Sequence, residues 1–208
     1  MRSAPVTLAI AVATFVAWFL AWGIGWDQEL AWWGGFIPAR LEAGADPPGP
    51  WAPVFLTPLT ATLLHANFIH IAFNLLILFF CGRSVEPILG GTGIAVLYLV
   101  GAFAAAAAHW AANVGEAVPM IGASGAVSAL LGAYALLFGR NKVKVASPAV
   151  ALWLHALWLA AAWIGLQLLI GFTFEGTPVR IAIFAHVGGF LAGLLLAKPL
   201  LLWRYRGA

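Results

Sequence analysis

A serine flanked by glycines lies in the stretch Met120–Gly125, MIGASG, which opens an apolar run that continues to Phe138. In isolation, Ser124 would be a small residue that lets another helix approach, with its hydroxyl bonded to a carbonyl one turn earlier. Two further apolar runs carry polar side chains, at His70–Asn74 and at Ala185–Gly189. Ionisable residues inside membrane-spanning segments are costly and are functional candidates by default. We therefore interpret the three stretches together, as parts of one site.

The composition is typical of an integral membrane protein. Hydrophobic residues make up 63% of the 208 residues and charged residues only 8%, and the mean hydropathy is +0.99. Soluble domains carry roughly 25% charged residues. The net charge of +3 does not indicate nucleic-acid binding, because the basic residues fall at the ends of the apolar runs. A single cysteine, Cys81, excludes an internal disulfide.

Six apolar runs are each close to the roughly 20 residues that a membrane-spanning helix needs. We predict an all-α membrane protein, a bundle of six transmembrane helices that forms one domain over residues 1–208. The predicted spans are 6–22, 58–81, 92–113, 121–138, 149–172 and 179–202. The first run is longer and more aromatic than the core of a signal peptide, so we expect it to be retained.

The connections between the spans differ in length. Residues 25–56 contain many prolines and tryptophans, which suit a first outer loop that lies in the membrane interface. The other predicted connections are short, at 82–91, 114–120, 139–148 and 173–178. We expect no soluble domain.

The basic residues predict how the spans are oriented. With six spans both termini lie on one side, and that side carries eight of the ten lysines and arginines. The eight are Arg2, Arg83, Arg140, Lys142, Lys144, Lys198, Arg204 and Arg206, while Arg40 and Arg180 lie on the other side. By the positive-inside rule, both termini face the cytoplasm.

In this topology the polar side chains have similar depths. At 1.5 Å per residue, His70 and His186 lie roughly 10 to 18 Å below the outer surface. Ser124 reaches this depth if its span is short and begins below the surface, which an entry through Pro119 and Gly122 allows. We expect the three side chains to meet in one cavity in the outer half of the membrane.

Small residues favour a direct contact between two of these side chains. His186, Gly189 and Gly193 lie on one face of the sixth span, and Gly125 opens a similar small-residue face on the fourth. Close packing of these faces would bring the imidazole of His186 within reach of the Ser124 hydroxyl, which makes a nucleophile and its base. All seven Asp and Glu residues lie outside the spans, so the sequence permits a dyad rather than a triad. It has no H-E-x-x-H motif, so we predict no metal and no cofactor.

His70 and Asn74 can supply an oxyanion site. They are spaced i, i+4 on one helix face, and both can donate hydrogen bonds, together with the Ser124 backbone N–H, to a tetrahedral intermediate. Considered without the other motifs, His70 and Asn74 would form hydrogen bonds between helices. His186 would likewise be a buried core histidine. We expect His65 to cap the outer end of the second span or to support the local hydrogen-bond network, rather than to take part in the chemistry.

The remaining histidines and the tryptophans have no predicted place in this site. His109 and His155 fit no common site, because His155 lies near the inner end of the fifth span. Trp153, Trp158 and Trp163 are predicted to be packing residues and interfacial anchors.

The three motifs resemble those of the rhomboid family of intramembrane serine proteases. They read His70-x-x-x-Asn74, Gly122-Ala123-Ser124-Gly125 and Ala185-His186-x-x-Gly189, in the family's order and spans. The resemblance implies the compact six-span bacterial form, with Ser124 as the nucleophile and His186 as the base. His70, Asn74 and the Ser124 amide would hold the oxyanion. The supporting residues would be Gly122, Gly125, Gly189 and His65.

The resemblance also implies what the protein acts on. Substrates would be single-span membrane proteins, cut in or near the transmembrane segment, with the fifth span and the outer loops controlling entry from the lipid bilayer. The bacterial inner membrane is the implied location. Glu86 and Gly90 match the family's loop after the second span, where we expect a structural role.

Two other functions are compatible with parts of the pattern. One is a rhomboid-like protein that binds membrane clients without cleaving them, although such proteins usually lack the serine or the histidine. The other is a small transporter that uses the histidines as a proton relay. A transporter would need discontinuous helices and more charge at the membrane midplane, and neither is evident in the sequence.

The sequence departs from the family pattern at two positions. Trp51 is followed by Ala52 where rhomboids often carry arginine, so we expect a different anchor for the first outer loop. Ser128 stands where some members have a tyrosine stacked on the histidine. We expect Phe190 or Phe184 to take over that contact.

Overall fold

The described structure is helical. The computed structural model describes residues 3–42, 49–139, 147–173 and 182–207. Its helices are α1 (Pro5–Ile24), α2 (Asp27–Gly34), α3 (Ala39–Glu42), α4 (Thr57–Thr60), α5 (Phe68–Ala112), α6 (Ser124–Phe138), α7 (Pro148–Thr173) and α8 (Ile183–Arg204), with short 3-10 turns at Val54–Leu56 and Ala61–Leu63. Within these residues no strand occurs, and Phe36 and Met120 form an isolated bridge. The all-α prediction is confirmed.

Fewer long apolar helices are described than the six predicted spans. Among the described residues, α1, α5 and α8 are long and apolar enough to cross a membrane. Helix α6 has 15 residues, and its length of about 22 Å is less than the roughly 30 Å of a bilayer core. The count of six spans therefore remains a prediction, whereas the short fourth span agrees with the expected depth of Ser124.

The predicted connection at 82–91 is shorter than expected, because the helical conformation continues up to the break at Gly90. The helix runs for 45 residues and contains one residue with a non-helical backbone, Gly90, whose φ is 77°. A straight helix of this length would extend about 67 Å, yet His70 and His109, near its two ends, line one cavity. The chain therefore reverses at Gly90, and α5 consists of a first arm (68–89) and a second arm (91–112).

The second predicted span also begins later than expected. The first arm starts at Phe68 rather than at residue 58, and the side chain of Asn67 caps it by accepting a hydrogen bond of 2.9 Å from the His70 N–H. Such a cap satisfies one of the backbone donors that lack a partner at the start of a helix. Residues 57–63 form α4 and a 3-10 turn instead.

Glu86 fastens the start of α1 to the first arm of α5. Its carboxylate accepts hydrogen bonds from the backbone N–H groups of Val6 and Thr7, at 2.9 and 2.8 Å, and from the Thr7 hydroxyl at 2.6 Å. These N–H groups belong to the first turn of α1, where backbone N–H groups have no partners within the helix. The helix dipole also favours a negative charge there. The contacts agree with the structural role expected of Glu86.

Backbone contact between α6 and α8 places the candidate residues side by side. A Cβ atom on Gly189 would collide with the carbonyl oxygen of Gly125, and one on Gly193 would collide with that of Ala129. A Cβ atom on Gly132 would meet the Phe190 carbonyl oxygen in the same way. The small-residue faces thus pack as the sequence predicts, with no side chain between the two backbones.

The first outer loop contains two helices and is held by an arginine. The Arg40 guanidinium lies 5.2 Å from the centre of the Trp51 ring, and its Nη2 donates a hydrogen bond of 2.7 Å to the Ala52 carbonyl. Arg40 therefore supplies the anchor that Ala52 cannot. The bridge between Phe36 and Met120 joins this loop to the segment that leads into α6.

Some predictions concern residues outside the described ranges. These include parts of the connections at 139–148 and 173–178 and several charged residues used for the orientation. The residues are Arg2, Arg140, Lys142, Lys144 and Arg180. The cytoplasmic position of the termini remains a prediction.

Candidate active site

Ser124 is the first residue of α6, and the turn before it needs a glycine. Gly122 has a φ of 116°, a backbone conformation that residues with a side chain rarely adopt. Its N–H donates a hydrogen bond of 2.8 Å to the Ala61 carbonyl, which ties the turn to the segment before α5. The turn delivers Ser124, which is 8% exposed, to the N-terminal end of the helix.

His186 contacts Ser124 directly. The distance from His186 Nε2 to Ser124 Oγ is 2.8 Å, and the histidine is 3% exposed. The other ring nitrogen, Nδ1, is buried and has no hydrogen-bond partner among the described residues. If Nδ1 carries the proton, Nε2 is free to accept one from the serine hydroxyl. The arrangement is a pair rather than a triad, as the distribution of acidic residues predicts.

His70 and Asn74 line the same cavity as this pair. The cavity has a volume of about 610 Å³, and its lining includes all four side chains. The His70 ring lies against the backbone of Gly122, where a Cβ atom would be 2.7 Å from its Nε2 and 3.7 Å from Ser124 Oγ. Asn74 Nδ2 donates a hydrogen bond of 2.9 Å to the His70 carbonyl, which occupies one of its two N–H groups. The structure thus brings the four predicted residues together.

The Rhomboid domain profile matches residues 54–203, a segment that contains all three motifs. The chain belongs to the rhomboid family. Its membership of this family and its apolar helices together show that this rhomboid is an integral membrane protein.

Curated relatives of this rhomboid come from bacteria and a plant. Rhomboid protease GlpG of Pectobacterium atrosepticum is 33% identical over 135 residues, which are 65% of this chain and 45% of the relative. RHOMBOID-like protein 1 of Arabidopsis thaliana is 32% identical over 137 residues, 66% of this chain and 32% of the relative. RHOMBOID-like protein 4 of the same plant is 31% identical over 152 residues, 72% of this chain and 35% of the relative. This chain therefore spans less than half the length of each of these relatives.

His65 supports the turn before Ser124 in this rhomboid. Its Nε2 accepts a hydrogen bond of 3.3 Å from the Ala123 N–H, and its ring centre lies 4.9 Å from that of His70. Because Nε2 is an acceptor, the neutral ring carries its proton on Nδ1. The contact fits the predicted role in the local hydrogen-bond network.

His109 lies closer to the site than the sequence suggests. The prediction that it fits no common site is wrong, because His109 lines the cavity with Ser124 and His186. The second arm of α5, which corresponds to the predicted third span, brings it there. Asn113 bonds to the His109 carbonyl at 2.8 Å and lies 3.3 Å from its Nδ1.

The aromatic ring that the structure places against His186 is Trp163 of α7. The two ring centres are 6.1 Å apart at an angle of 61°, whereas the expected Phe184 is 55% exposed and Phe190 has no described ring contact with the histidine. Trp163 Nε1 donates a hydrogen bond of 2.8 Å to Ser128 Oγ. The sequence offered no signal for this pair beyond the tryptophan's place in an apolar run.

Proposed function

We propose that this rhomboid is a serine endopeptidase that cleaves membrane proteins in or near their transmembrane segments. The contact of 2.8 Å between His186 Nε2 and Ser124 Oγ carries the proposal. Family membership and the relative named Rhomboid protease GlpG support it. A protein that only binds clients has no need for a buried serine and histidine in contact, so the pair favours catalysis.

The reaction would begin with proton transfer from Ser124 to His186. As Oγ attacks the scissile carbonyl carbon, Nε2 of the neutral His186 accepts the hydroxyl proton. The tetrahedral intermediate collapses when the C–N bond breaks and His186 gives the proton to the leaving amine. A water molecule, deprotonated by His186, then hydrolyses the acyl ester on Ser124 and restores the enzyme.

The negative oxygen of the intermediate would lie at the N-terminal end of α6. Backbone N–H groups of the first helical turn have no partners within the helix, and the helix dipole favours negative charge there. The side chains of His70 and Asn74 line the same cavity, and one Asn74 N–H is not used by the bond to the His70 carbonyl. Donors that are fixed in place before the reaction stabilise the transition state.

The proposal extends to the substrate and the membrane. Substrates would be single-span membrane proteins that reach the cavity from the bilayer. The excess of basic residues on the side of the termini supports a cytoplasmic position for both ends. The bacterial inner membrane is proposed from the resemblance to the compact six-span form.

Cleavage in liposomes tests this function. The whole chain is reconstituted with a panel of tagged single-span membrane proteins, and the fragments are mapped by mass spectrometry. We expect cuts in or beside the transmembrane segment of at least one protein, and none with Ser124→Ala or His186→Ala. Cleavage that persists in Ser124→Ala, or no cleavage across the whole panel, would contradict the proposal.

A further inference from the structure

We propose that Trp163 and Ser128 are positioning residues that hold the His186 ring in place for its contact with the Ser124 hydroxyl. The inference rests on the proposed function, since it assigns residues that act through the pair. Four buried residues form a closed chain of contacts, which includes the Ser124 backbone carbonyl and runs from α7 to the serine and back to the histidine. They are Trp163, Ser128, Ser124 and His186.

The chain of contacts begins at the indole of Trp163. Its Nε1 donates a hydrogen bond of 2.8 Å to Ser128 Oγ, and the Ser128 hydroxyl donates one of 2.7 Å to the Ser124 carbonyl. Ser128 therefore uses its single proton and a lone pair at once. A serine that bonds to a carbonyl one turn earlier is ordinary in a helix. The bond from Trp163, however, connects α7 through Ser128 to Ser124, whose hydroxyl lies 2.8 Å from His186.

His186 needs support from packing because its second nitrogen has none. A catalytic histidine is usually oriented by a group bonded to the nitrogen that does not face the nucleophile. Here His186 Nδ1 has no hydrogen-bond partner among the described residues. The ring of Trp163, tilted by 61° at 6.1 Å, is the aromatic contact that can limit rotation of the imidazole.

Trp163 would lose its position without Ser128, because space is available beside it. An apolar cavity of about 240 Å³ lies between α7 and α8, and both Trp163 and His186 line it. The accessible surface of this cavity is apolar, so it offers no partner to replace the missing bond of the indole N–H. Once released from Ser128, the indole can turn into this cavity, and the histidine ring loses its support.

Neither positioning residue borders the cavity of about 610 Å³ that contains the Ser124 hydroxyl. Substitutions at Ser128 and Trp163 should therefore change the rate of the chemical step and leave the binding of a small reactant unchanged. This separation distinguishes positioning from a contact with the reactant and from general loss of structure.

The test measures the reaction of the detergent-solubilised whole chain with a fluorophosphonate. The Ser124 Oγ–P bond forms, the P–F bond breaks with loss of fluoride, and His186 takes the hydroxyl proton. The maximal rate constant kinact and the half-saturation concentration KI are determined separately. Ser128→Ala, Trp163→Phe and the double variant are compared with wild type, and Trp158→Phe is the control because Trp158, on the same helix, is 68% exposed.

We expect kinact to fall about tenfold in Ser128→Ala and in Trp163→Phe, the effect of one lost hydrogen bond of about average strength. KI should stay within about twofold, and the double variant should react no more slowly than either single variant, because both remove the same link. Trp158→Phe should react as wild type does.

Three results would overturn the inference. In the first, kinact of both single variants stays at the wild-type value. In the second, the losses add in the double variant. In the third, kinact and KI worsen together with the thermal midpoint. Wild type that is folded but unlabelled would instead overturn the proposed function, and the inference with it.

Discussion

At the scale of single residues, the candidate site contains polar atoms that lack partners. His186 Nδ1 and Asn74 Oδ1 are buried and form no hydrogen bond among the described residues. A buried polar group without a partner costs about 1–3 kcal/mol, so such atoms are rare in ordinary cores. Both atoms belong to residues that line the cavity with Ser124.

Substitution of the two candidate oxyanion donors tests their assignment. His70→Ala and Asn74→Ala should each slow labelling of Ser124 by a fluorophosphonate about 100-fold, because loss of one oxyanion donor costs about that much. Asn113→Ala is the matched control, since Asn113 lines the same cavity but bonds to His109. A wild-type rate in both variants, or an equal loss in Asn113→Ala, would remove His70 and Asn74 from the oxyanion site.

Single residues could be predicted where they stand out from their surroundings. Ser124, His70 and His186 are polar groups in apolar runs, and that contrast alone identifies them. Trp163 and Ser128 have ordinary explanations when each is taken separately, as an aromatic and a small residue of membrane helices. Their bond joins positions 35 residues apart and depends on how α7 is rotated about its own axis, which no local pattern specifies.

At the scale of helices, the close contact of α6 and α8 determines how far Ser124 lies from His186. The Gly189 backbone lies against the Gly125 carbonyl, so any side chain at this position must push the helices apart. The separation would lengthen the contact of 2.8 Å between the two candidate residues, which lie within one turn of the glycines.

Gly189→Ala tests this dependence. We expect a loss of about 1–3 kcal/mol in the free energy of unfolding, as for other overpacked cores, and labelling of Ser124 at least about tenfold slower. Gly165→Ala is the control, because nothing lies within 4 Å of a Cβ atom there. Thermal unfolding in detergent and the rate of labelling measure both effects. A Gly189→Ala protein as stable and reactive as Gly165→Ala would contradict the packing account.

The course of α5 shows where the prediction of helix ends fails. Glycines and Pro87 between residues 82 and 91 are typical of a loop, and the sequence alone therefore places one there. In the structure the helix continues past Pro87, and only Gly90 leaves the helical conformation. The bonds from Val6, Thr7 and Arg204 to Glu86 hold the residues before the bend in place. These partners are distant in sequence, so local propensity could not reveal them.

At the scale of the whole molecule, the chain is a rhomboid whose helices bring three distant motifs to one cavity. Residues 54–203 match the family, and the motifs at His70, Ser124 and His186 lie on α5, α6 and α8. Composition and hydropathy predict the all-α membrane class, because the bilayer demands long apolar helices. They predict the reversal between the second and third spans but not its position at a single residue, Gly90, nor the anchor by Arg40, because both details depend on tertiary contacts.

The central claim is that Ser124 is a nucleophile activated by His186, and covalent labelling tests it most directly. The detergent-solubilised protein is treated with a fluorescent fluorophosphonate, and wild type is compared with Ser124→Ala, His186→Ala and His155→Ala. His155 is the control because it does not line the cavity. The account predicts one labelled peptide containing Ser124 in wild type and His155→Ala, and no label in the other two. Equal labelling of Ser124→Ala, or no labelling of folded wild type, would contradict it.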